Sequence, residues 1–442
     1  MTSTQGSGRE GDAGTDAATD SATDSATDTG GVAGAVSTVW RLESARIIAG
    51  VARLVRDVGL AEELAQDALV AALEQWPESG VPDNPAAWLT AVAKRRAVDR
   101  IRREQNYAGK LAEIGHRMET ADDGAFDAVL DDRIEDDVLR LVFTACHPVL
   151  STPARVALTL RMLGGLTTDE IARAFLVPEA TVAQRVVRAK KTLAEAKVPF
   201  EVPQGADREA RLSSVLEVIY LIFNEGYAAT AGDQWLRVDL ALEALRLGRV
   251  LAGLAPGEPE VHGLVALMEI QASRSRARVG PDGEPIPLLE QNRGRWDRLL
   301  IQRGFEALLR AREPGRPPGP YVLQAAIAAC HARAASAEET DWAQIVALYD
   351  LLARSAPSPV VELNRAVAVG MAEGPEKGLE IVDGLAGEKA LKDYHLLPGV
   401  RGDLLERLGR REEARAEFER AASLTRNTAE RRALLKRAGG PR

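Results

Sequence analysis

Apolar residues recur at helical spacing along most of this chain, and the strict alternation that marks a strand is scarce. Over 84–101, Trp88, Leu89, Val92, Val98 and Ile101 fall at helical intervals behind Asn84 and Pro85, and Pro85 suits a first helical turn. The period predicts one amphipathic helix whose remaining positions over 94–103, KRRAVDRIRR, hold six cations and one anion. A second pattern runs over 166–193. Thr168 caps a short helix over 169–174 with Glu170 in its first turn, and Leu176 and Val177 make a tight turn. Pro178 and Glu179 then open a helix with the apolar face Val182, Val186, Ala189 and Leu193. Its polar face offers Thr181, Gln184, Arg185, Arg188, Lys190 and Lys191.

Charge gives these faces a chemistry. The chain is acidic overall, with a net charge of −9, so a short block of net charge +5 is a local tool. Cations along one helix, with Trp88 near its start, suit phosphate neutralisation beside an unpaired base, although alone the block also reads as a solvated face. The 166–193 pattern reads as a helix-turn-helix. Short polar groups near the start of its second helix match base edges, and the cations beyond match phosphates.

Together the two blocks resemble the DNA-binding domains of the compact extracytoplasmic-function (ECF) type of sigma factor, of the sigma-70 superfamily. The resemblance covers 42–196. It makes 46–56 the start of a promoter-melting domain and 61–76, AEELAQDALVAALEQW, the helix that docks on the polymerase clamp. Glu62, Glu63 and Asp67 are then expected to face polymerase, with Leu64, Ala68 and Leu73 in the core. The loop 77–85, PESGVPDNP, corresponds to the segment that traps a flipped base of the −10 element, and NPAAWLTAVAKRRAVDRIRR matches the family's best-known pattern. The resemblance implies −10 contacts from Asp83, Asn84, Trp88, Lys94, Arg95, Arg96, Asp99, Arg100 and Arg103. It implies −35 contacts from Thr181, Gln184, Arg185, Arg188, Lys190 and Lys191. Its partners are promoter DNA and the clamp and flap regions of core RNA polymerase.

Such a sigma factor needs about the first two hundred residues, and the chain has 442. The remainder is rich in Ala, Leu, Arg and Glu and reads as helical. Gly402, Leu405, Gly409, Ala414, Phe418 and Ala421 have the spacing of a tetratricopeptide (TPR) hairpin. Ala366, Val369, Gly378 and Val382 repeat it upstream, as do Ala244, Gly248, Leu251, Pro256 and Ala266. The whole chain thus resembles the ECF group with a C-terminal TPR-containing extension, in which the extension replaces a separate anti-sigma partner. The expected fold class is all-α: a promoter-melting domain over 39–106, a helix-turn-helix domain over 138–198 and a TPR-like solenoid of helical hairpins over 205–435.

Residues 1–38 repeat Thr-Asp with few large apolar side chains, a composition expected to stay disordered. Residues 119–137 carry nine acids against one Arg and read as a solvated linker, set at 107–137, or as a nucleic-acid mimic. In 217–230, Ile219, Tyr220, Ile222 and Phe223 predict a buried helix stopped at Gly226; a contact surface of Asn224, Glu225 and Tyr227 is the alternative. The Pro- and Gly-rich stretch 278–294, with Asp282, Glu284, Glu290 and Asn292, predicts an ordered loop open to a ligand or protein.

No catalytic constellation or cofactor motif is visible, so an enzyme is not expected. Cys146 and Cys330 each precede a His but lie far apart, and read as small buried hydrophobes, with no metal site. Two thiols, no secretory leader and no apolar run of membrane length point to a cytoplasmic protein without a membrane partner. The competing class is a helix-turn-helix regulator fused to a TPR scaffold, which the clamp-like helix at 61–76 argues against. A TPR scaffold with a vestigial DNA-binding half ranks behind it, because the basic blocks are intact.

Overall fold

A computed structural model describes the backbone of residues 20–112, 134–312 and 316–439, with side chains from 34–105, 136–312 and 316–439. The chain divides into two compact units, 1–130 and 131–442.

The first unit is three helices: α1 Asp20–Val55, α2 Val58–Ser79 and α3 Pro85–Ala112. Val36, Trp40, Ile47, Ile48 and Val51 of α1 are buried with Ala61, Leu64, Ala65, Ala68 and Trp76 of α2 and Leu89, Ala93 and Ala97 of α3. These positions follow the helical period, and α2, packed between the other two, buries the widest face. The α1–α2 turn is tight: Arg56 takes a left-handed φ of 56°, and the Asp57 carboxylate caps α2 by accepting from Leu60 N at 2.9 Å. The helix begins at Asp20, within the tail expected over 1–38, and Val36 already belongs to the core. Residues 1–19 of that tail lie outside the described residues.

The second unit opens with α4 Ile134–Ala145, α5 Thr152–Met162, α6 Thr168–Phe175 and α7 Glu179–Glu195. Its long remainder comprises α8 Gly205–Tyr227, α9 Val238–Leu254, α10 Pro259–Ala272, α11 Arg298–Arg310, α12 Pro320–Arg333 and α13 Trp342–Ser355. It continues through α14 Pro359–Ala372, α15 Pro375–Gly384, α16 Leu396–Arg407, α17 Arg411–Leu424 and α18 Thr428–Arg437. Proline opens α10, α12, α14 and α15, where its missing N–H is harmless. Most helices of this half pack on their neighbours in sequence, and α10 also packs on α12. Small residues permit the close crossings. A methyl group added at Gly378 would lie 2.9 Å from the Cα of Gly370, and one at Gly402 would meet the Phe418 ring at 2.8 Å. The expected repeat positions Ala244, Leu251, Ala266, Ala366, Val369, Val382, Leu405, Ala414, Phe418 and Ala421 are all buried.

Two departures matter. Asp137, expected in the acidic linker, is buried near the start of α4 with its carboxylate on Arg140; residues 113–133 of that linker lie outside the described residues. Gly226 does not stop α8; it sits inside the helix where α9 crosses, and a methyl group there would fall 2.3 Å from Ala241 N.

The last helices return to the first. A parallel two-residue pairing joins β1 Ala231–Gly232, between α8 and α9, to β2 Arg426–Asn427, between α17 and α18. The buried Asn427 side chain donates to Ala229 O at 3.0 Å and Gln234 O at 2.9 Å, and Thr428 donates to Asp233 at 2.8 Å. The α8–α9 connection is thereby fixed by residues some two hundred positions away.

Candidate nucleic-acid interface

The helix-turn-helix is built as its spacing predicts, with one change in the cap. Thr167, not Thr168, caps α6: its hydroxyl accepts from Glu170 N at 3.1 Å, and Glu170 accepts from Thr167 N at 2.8 Å. This reciprocal box satisfies two helix-end donors and leaves Thr168 as the first helical residue. Leu176 ends α6 in the left-handed region at φ 49°, turning the chain into Pro178 and α7. Val182, Val186, Ala189 and Leu193 are buried. On the other side Gln184, Arg188 and Lys191 are exposed, and Thr181, Arg185 and Lys190 are half-buried. Lys191 lies 3.6 Å from Glu195. Among the described residues no carboxylate pairs with Arg185 or Arg188.

Three arginines outside the sequence reading tie this element to the C-terminal half, two from that half and one from α5. Arg237, preceding α9, donates to Ala174 O at the end of α6, to Glu225 at 2.6 Å and to Ala231 O at 2.9 Å. Arg246 of α9 donates to Leu163 O, the end of α5, at 2.8 Å. From the other direction, Arg155 of α5 donates to Ser214 and, at 3.0 Å, to Glu217 on α8; Ser214 in turn donates to Cys146 O at 2.7 Å. Leu176 packs so closely on Gly232 that a methyl group there would sit 2.6 Å from its Cδ1. Arg237 and Arg246 meet carbonyls at helix C-termini, where the backbone dipole favours positive charge, whereas Arg155 meets side chains. The one local clue was Arg237 itself, a cation at the N-terminal flank of α9, where the same dipole disfavours it.

In the first unit the basic helix α3 starts where expected. The Asn84 carboxamide accepts from Ala87 N at 3.0 Å, so this residue caps the helix. The loop before it is shorter than 77–85, because α2 runs through Pro77 to Ser79 and leaves only 80–84. Leu89, Ala93 and Ala97 are buried, which turns the basic positions outward. Asp83, Arg95, Arg100 and Arg103 are exposed, and Lys94, Arg96 and Asp99 are half-buried. Two cations already have acids: Arg96 lies 3.4 Å from Asp67, and Arg100 lies 2.6 Å from Glu104. Trp88 is half-buried, its ring 5.4 Å from that of Trp76 at 67°.

The polymerase-facing assignment on α2 needs revision. Glu63 and Asp67 are exposed, but Glu62 is 3% exposed, with its carboxylate accepting from Gln66. It falls in the stripe Val58, Ala61, Glu62 and Ala65 that α2 buries. Leu73, expected in the core, is 44% exposed and Val70 is 50% exposed; Trp76 takes the buried place at this end. The outer face of α2 is therefore part acidic and part apolar.

Both cysteines are buried and unpaired. Burial pushes the Cys146 thiol up to about 11, with Thr159 at 3.3 Å. Among the described residues no group of three or more His, Cys, Asp or Glu is placed to hold a metal ion, and no helix is long and apolar enough to cross a membrane.

Comparison with known proteins agrees with this geometry. Residues 41–107 match the family described as sigma-70 region 2, 140–193 match sigma-70 region 4, and 211–312 match a family of unknown function, DUF6596. The ECF RNA polymerase sigma factor SigK of Mycobacterium tuberculosis (strain ATCC 25618 / H37Rv) is 35% identical over 152 residues, covering 34% of this chain and 78% of its own. The SigK of Mycobacterium ulcerans is 35% identical over 145 residues, 32% of this chain and 74% of its own. An uncharacterized protein of Rhizobium meliloti, R00370, is 45% identical over 383 residues, 86% of this chain and 89% of its own. No solved structure matches. The chain belongs to the sigma-70 family of RNA polymerase sigma factors. Its C-terminal match is to DUF6596 rather than to a TPR family.

Proposed function

We propose that this sigma factor reads duplex −35 DNA with α7 and opens the −10 element with α3 and the 80–84 loop, while the C-terminal half acts as a brace for region 4. In α7, Arg185, Gln184 and Thr181 address base edges, and Arg188, Lys190 and Lys191 address phosphates. In the first unit, Trp88 and Asp83 work at the flipped base beside the Asn84 cap, and Lys94, Arg95, Arg96, Arg100 and Arg103 follow the backbone, with Asp99 orienting them. Glu63, Asp67, Val70 and Leu73 form the docking face for the polymerase clamp; Glu62 has no part in it. The array beyond α8 takes the place of a TPR-like regulatory extension, and the protein works in the cytoplasm, where core polymerase and promoters lie.

The observation that carries this reading is the pairing of a held scaffold with an open face. Arg155, Arg237 and Arg246 fix the helix-turn-helix from behind, and Arg185 and Arg188 stay clear of every described carboxylate. A mask would be expected to engage those cations; a brace leaves them available. Run-off transcription with purified core polymerase tests the assignment. Arg185→Ala with Arg188→Ala is expected to abolish dependence on the −35 sequence. Trp88→Ala with Lys94→Ala is expected to impair duplex templates far more than templates already unpaired at −10. Equal loss on both templates would make Trp88 only the structural partner of Trp76, and full activity of the arginine pair would remove α7 from DNA recognition.

A further inference from the structure

The C-terminal half contains a charge cluster that neither promoter reading nor polymerase docking uses. Arg274 follows α10, Arg278 follows the single 3-10 turn Ser275–Ala277, and Arg293 opens another, Arg293–Arg295. They converge on aromatic rings. Arg278 stacks 3.4 Å from the centre of the Tyr227 ring and lies 5.7 Å from Trp235. Arg274 lies 5.8 Å from Tyr227 and 5.9 Å from Trp296, and Arg293 lies 4.8 Å from Trp296. Among the described residues none of the three has a carboxylate within 4.0 Å.

Part of this charge has a structural use. Arg278 donates to Tyr227 O at the end of α8, and Arg293 donates to His331 O and, at 2.9 Å, to Ala334 O at the end of α12. A helix C-terminus carries about half a negative charge, so two such ends offset about one of the three cations. The same neighbourhood holds buried polar atoms that lack any partner: Arg274 Nε, Trp296 Nε1, His331 Nδ1 and Gln291 Oε1. Buried donors are normally satisfied, and a cationic group without a counter-charge is costly to bury; Glu338 and Glu339 act on Arg293 from beyond ion-pair distance, whereas no carboxylate is among the groups that act on Arg278. Burial pushes Arg278 down to about 10 and His331 down to about 4, the latter helped by Arg274 and Arg293. Trp296 and Arg278 are buried, whereas Tyr227, Trp235, Arg274 and Arg293 keep partial exposure, so the cluster is reachable from solvent.

We propose that Arg274, Arg278 and Arg293, with the Trp296 indole N–H, bind an oxyanion of a small molecule, a carboxylate or a phosphate group. Guanidinium forks match the paired oxygens of either group, and the flanking rings exclude water that would compete for them. The 278–294 stretch then becomes the wall of a binding site. It is ordered by Gly280 N donating to Glu284 O at 2.9 Å and tied to α18 by Lys436, 3.3 Å from Glu284. Occupancy would bear on promoter reading, because Tyr227 directly precedes the α8–α9 connection that holds Leu176 and Ala174. This last step rests on the bracing role proposed above; binding itself does not.

The test is titration of the full chain with sodium phosphate and with sodium malonate at constant ionic strength, against sodium chloride. The readouts are thermal melting and amide exchange over 274–296. Saturable stabilisation by phosphate or malonate, absent with chloride, is expected, and the more effective probe identifies the group. Arg274→Gln should weaken binding at least ten-fold, and Arg276→Gln, on an exposed neighbour, should leave it unchanged. Trp296→Phe removes the N–H with little change of shape and is a second variant should Arg274→Gln melt early. No saturable response to either probe, or equal responses in all three variants, would overturn the proposal and leave the arginines as helix-end caps with water on the spare donors. No polymerase or DNA is present, so this outcome is independent of the transcriptional reading.

Discussion

The two basic helices are held in opposite ways. α3 is positioned by the small unit it belongs to: its buried residues meet α1 and α2, and its cap is its own Asn84. α7 belongs to an element whose key supports come from far along the chain, with Arg237 reaching Ala174 and Arg246 reaching Leu163. Local amphipathic patterning therefore suffices to understand the first, whereas the second packs on α5 and α6, whose ends are held in turn from the C-terminal half. On the bracing role proposed above, one promoter-binding part is self-sufficient and the other is conditional on the fold behind it.

Removing that fold is the strongest way to break the comparison. Truncation after Lys197 strips Arg155 of Ser214 and Glu217 and uncovers the faces of α4 and α5 that pack on α8. Region 4 is expected to lose cooperative folding and −35-dependent transcription to fall by more than ten-fold, while region 2 stays folded. All tryptophans left in the truncated chain, Trp40, Trp76 and Trp88, lie in the first unit, so their fluorescence melt reports on region 2 alone. A lost transition there would show that the first unit is not self-sufficient. Transcription that rises on truncation would turn the brace into a mask.

A single substitution sharpens the same point. Arg237 and Glu225 are nearly buried, so Arg237→Ala leaves the Ala174 carbonyl without the arginine and the Glu225 carboxylate without its counter-charge, with only the Thr230 N–H and hydroxyl still donating to it. Loss of one member of such a pair costs about 3–5 kcal/mol. Urea melts should show the cost, with −35 binding weakened and binding to pre-opened −10 DNA retained. A loss below about 1 kcal/mol would mean that Leu176 against Gly232 holds the turn without the arginine.

Which of these supports could be read in the sequence follows from their range. The helical period gave the apolar faces of α3 and α7, and the turn at Leu176 and Val177 was marked by the following Pro178. The cap moved by one residue because Thr167 and Thr168 are both suitable, and only the Glu170 contact decides between them. Glu62 and Leu73 were misplaced because α2 buries more than one stripe, taking Val58, Glu62 and Ala65 inward and leaving Leu73 out. The contacts of Arg155, Arg237 and Asn427 join residues 59 to 198 positions apart, and no local pattern encodes such a pairing.

Acid should separate the two units. Residues 34–105 contain no histidine, whereas the second unit holds His331 near Arg274, Arg293 and the Trp342 ring. Burial and those arginines depress the folded His331 to about 4, from the 6.5 of an ordinary imidazole. A depressed folded value means that the stabilisation is complete above about 6.5 and drains away as pH falls toward 4. The loss at pH 5 is about 2 kcal/mol. His147 is also depressed, by burial and then by Arg211, and adds in the same direction. Amide exchange at pH 7 and pH 5 should therefore show the second unit weakening while protection over 34–105 holds. Replacing His331 with Asn should flatten most of that difference; an unchanged slope would assign the acid sensitivity elsewhere.

The finest test compares two residues on α7 itself. Arg185 lies nearer the start of the helix and is half-buried, while Lys191 lies further along, exposed and 3.6 Å from Glu195. A guanidinium on a base edge loses about 1–3 kcal/mol on truncation to alanine, and loses it only on promoters that carry the preferred base. An ammonium on phosphate loses less, on every sequence alike, and lowers the salt slope of binding by about one. Arg185→Ala should accordingly flatten the preference among −35 sequences, whereas Lys191→Ala should keep the preference and shift all affinities together. The result bears on the brace as well, because only a helix held in one register can discriminate bases. If both variants lost affinity uniformly, α7 would be gripping the backbone alone, and the long-range arginine contacts behind it would serve stability rather than promoter choice.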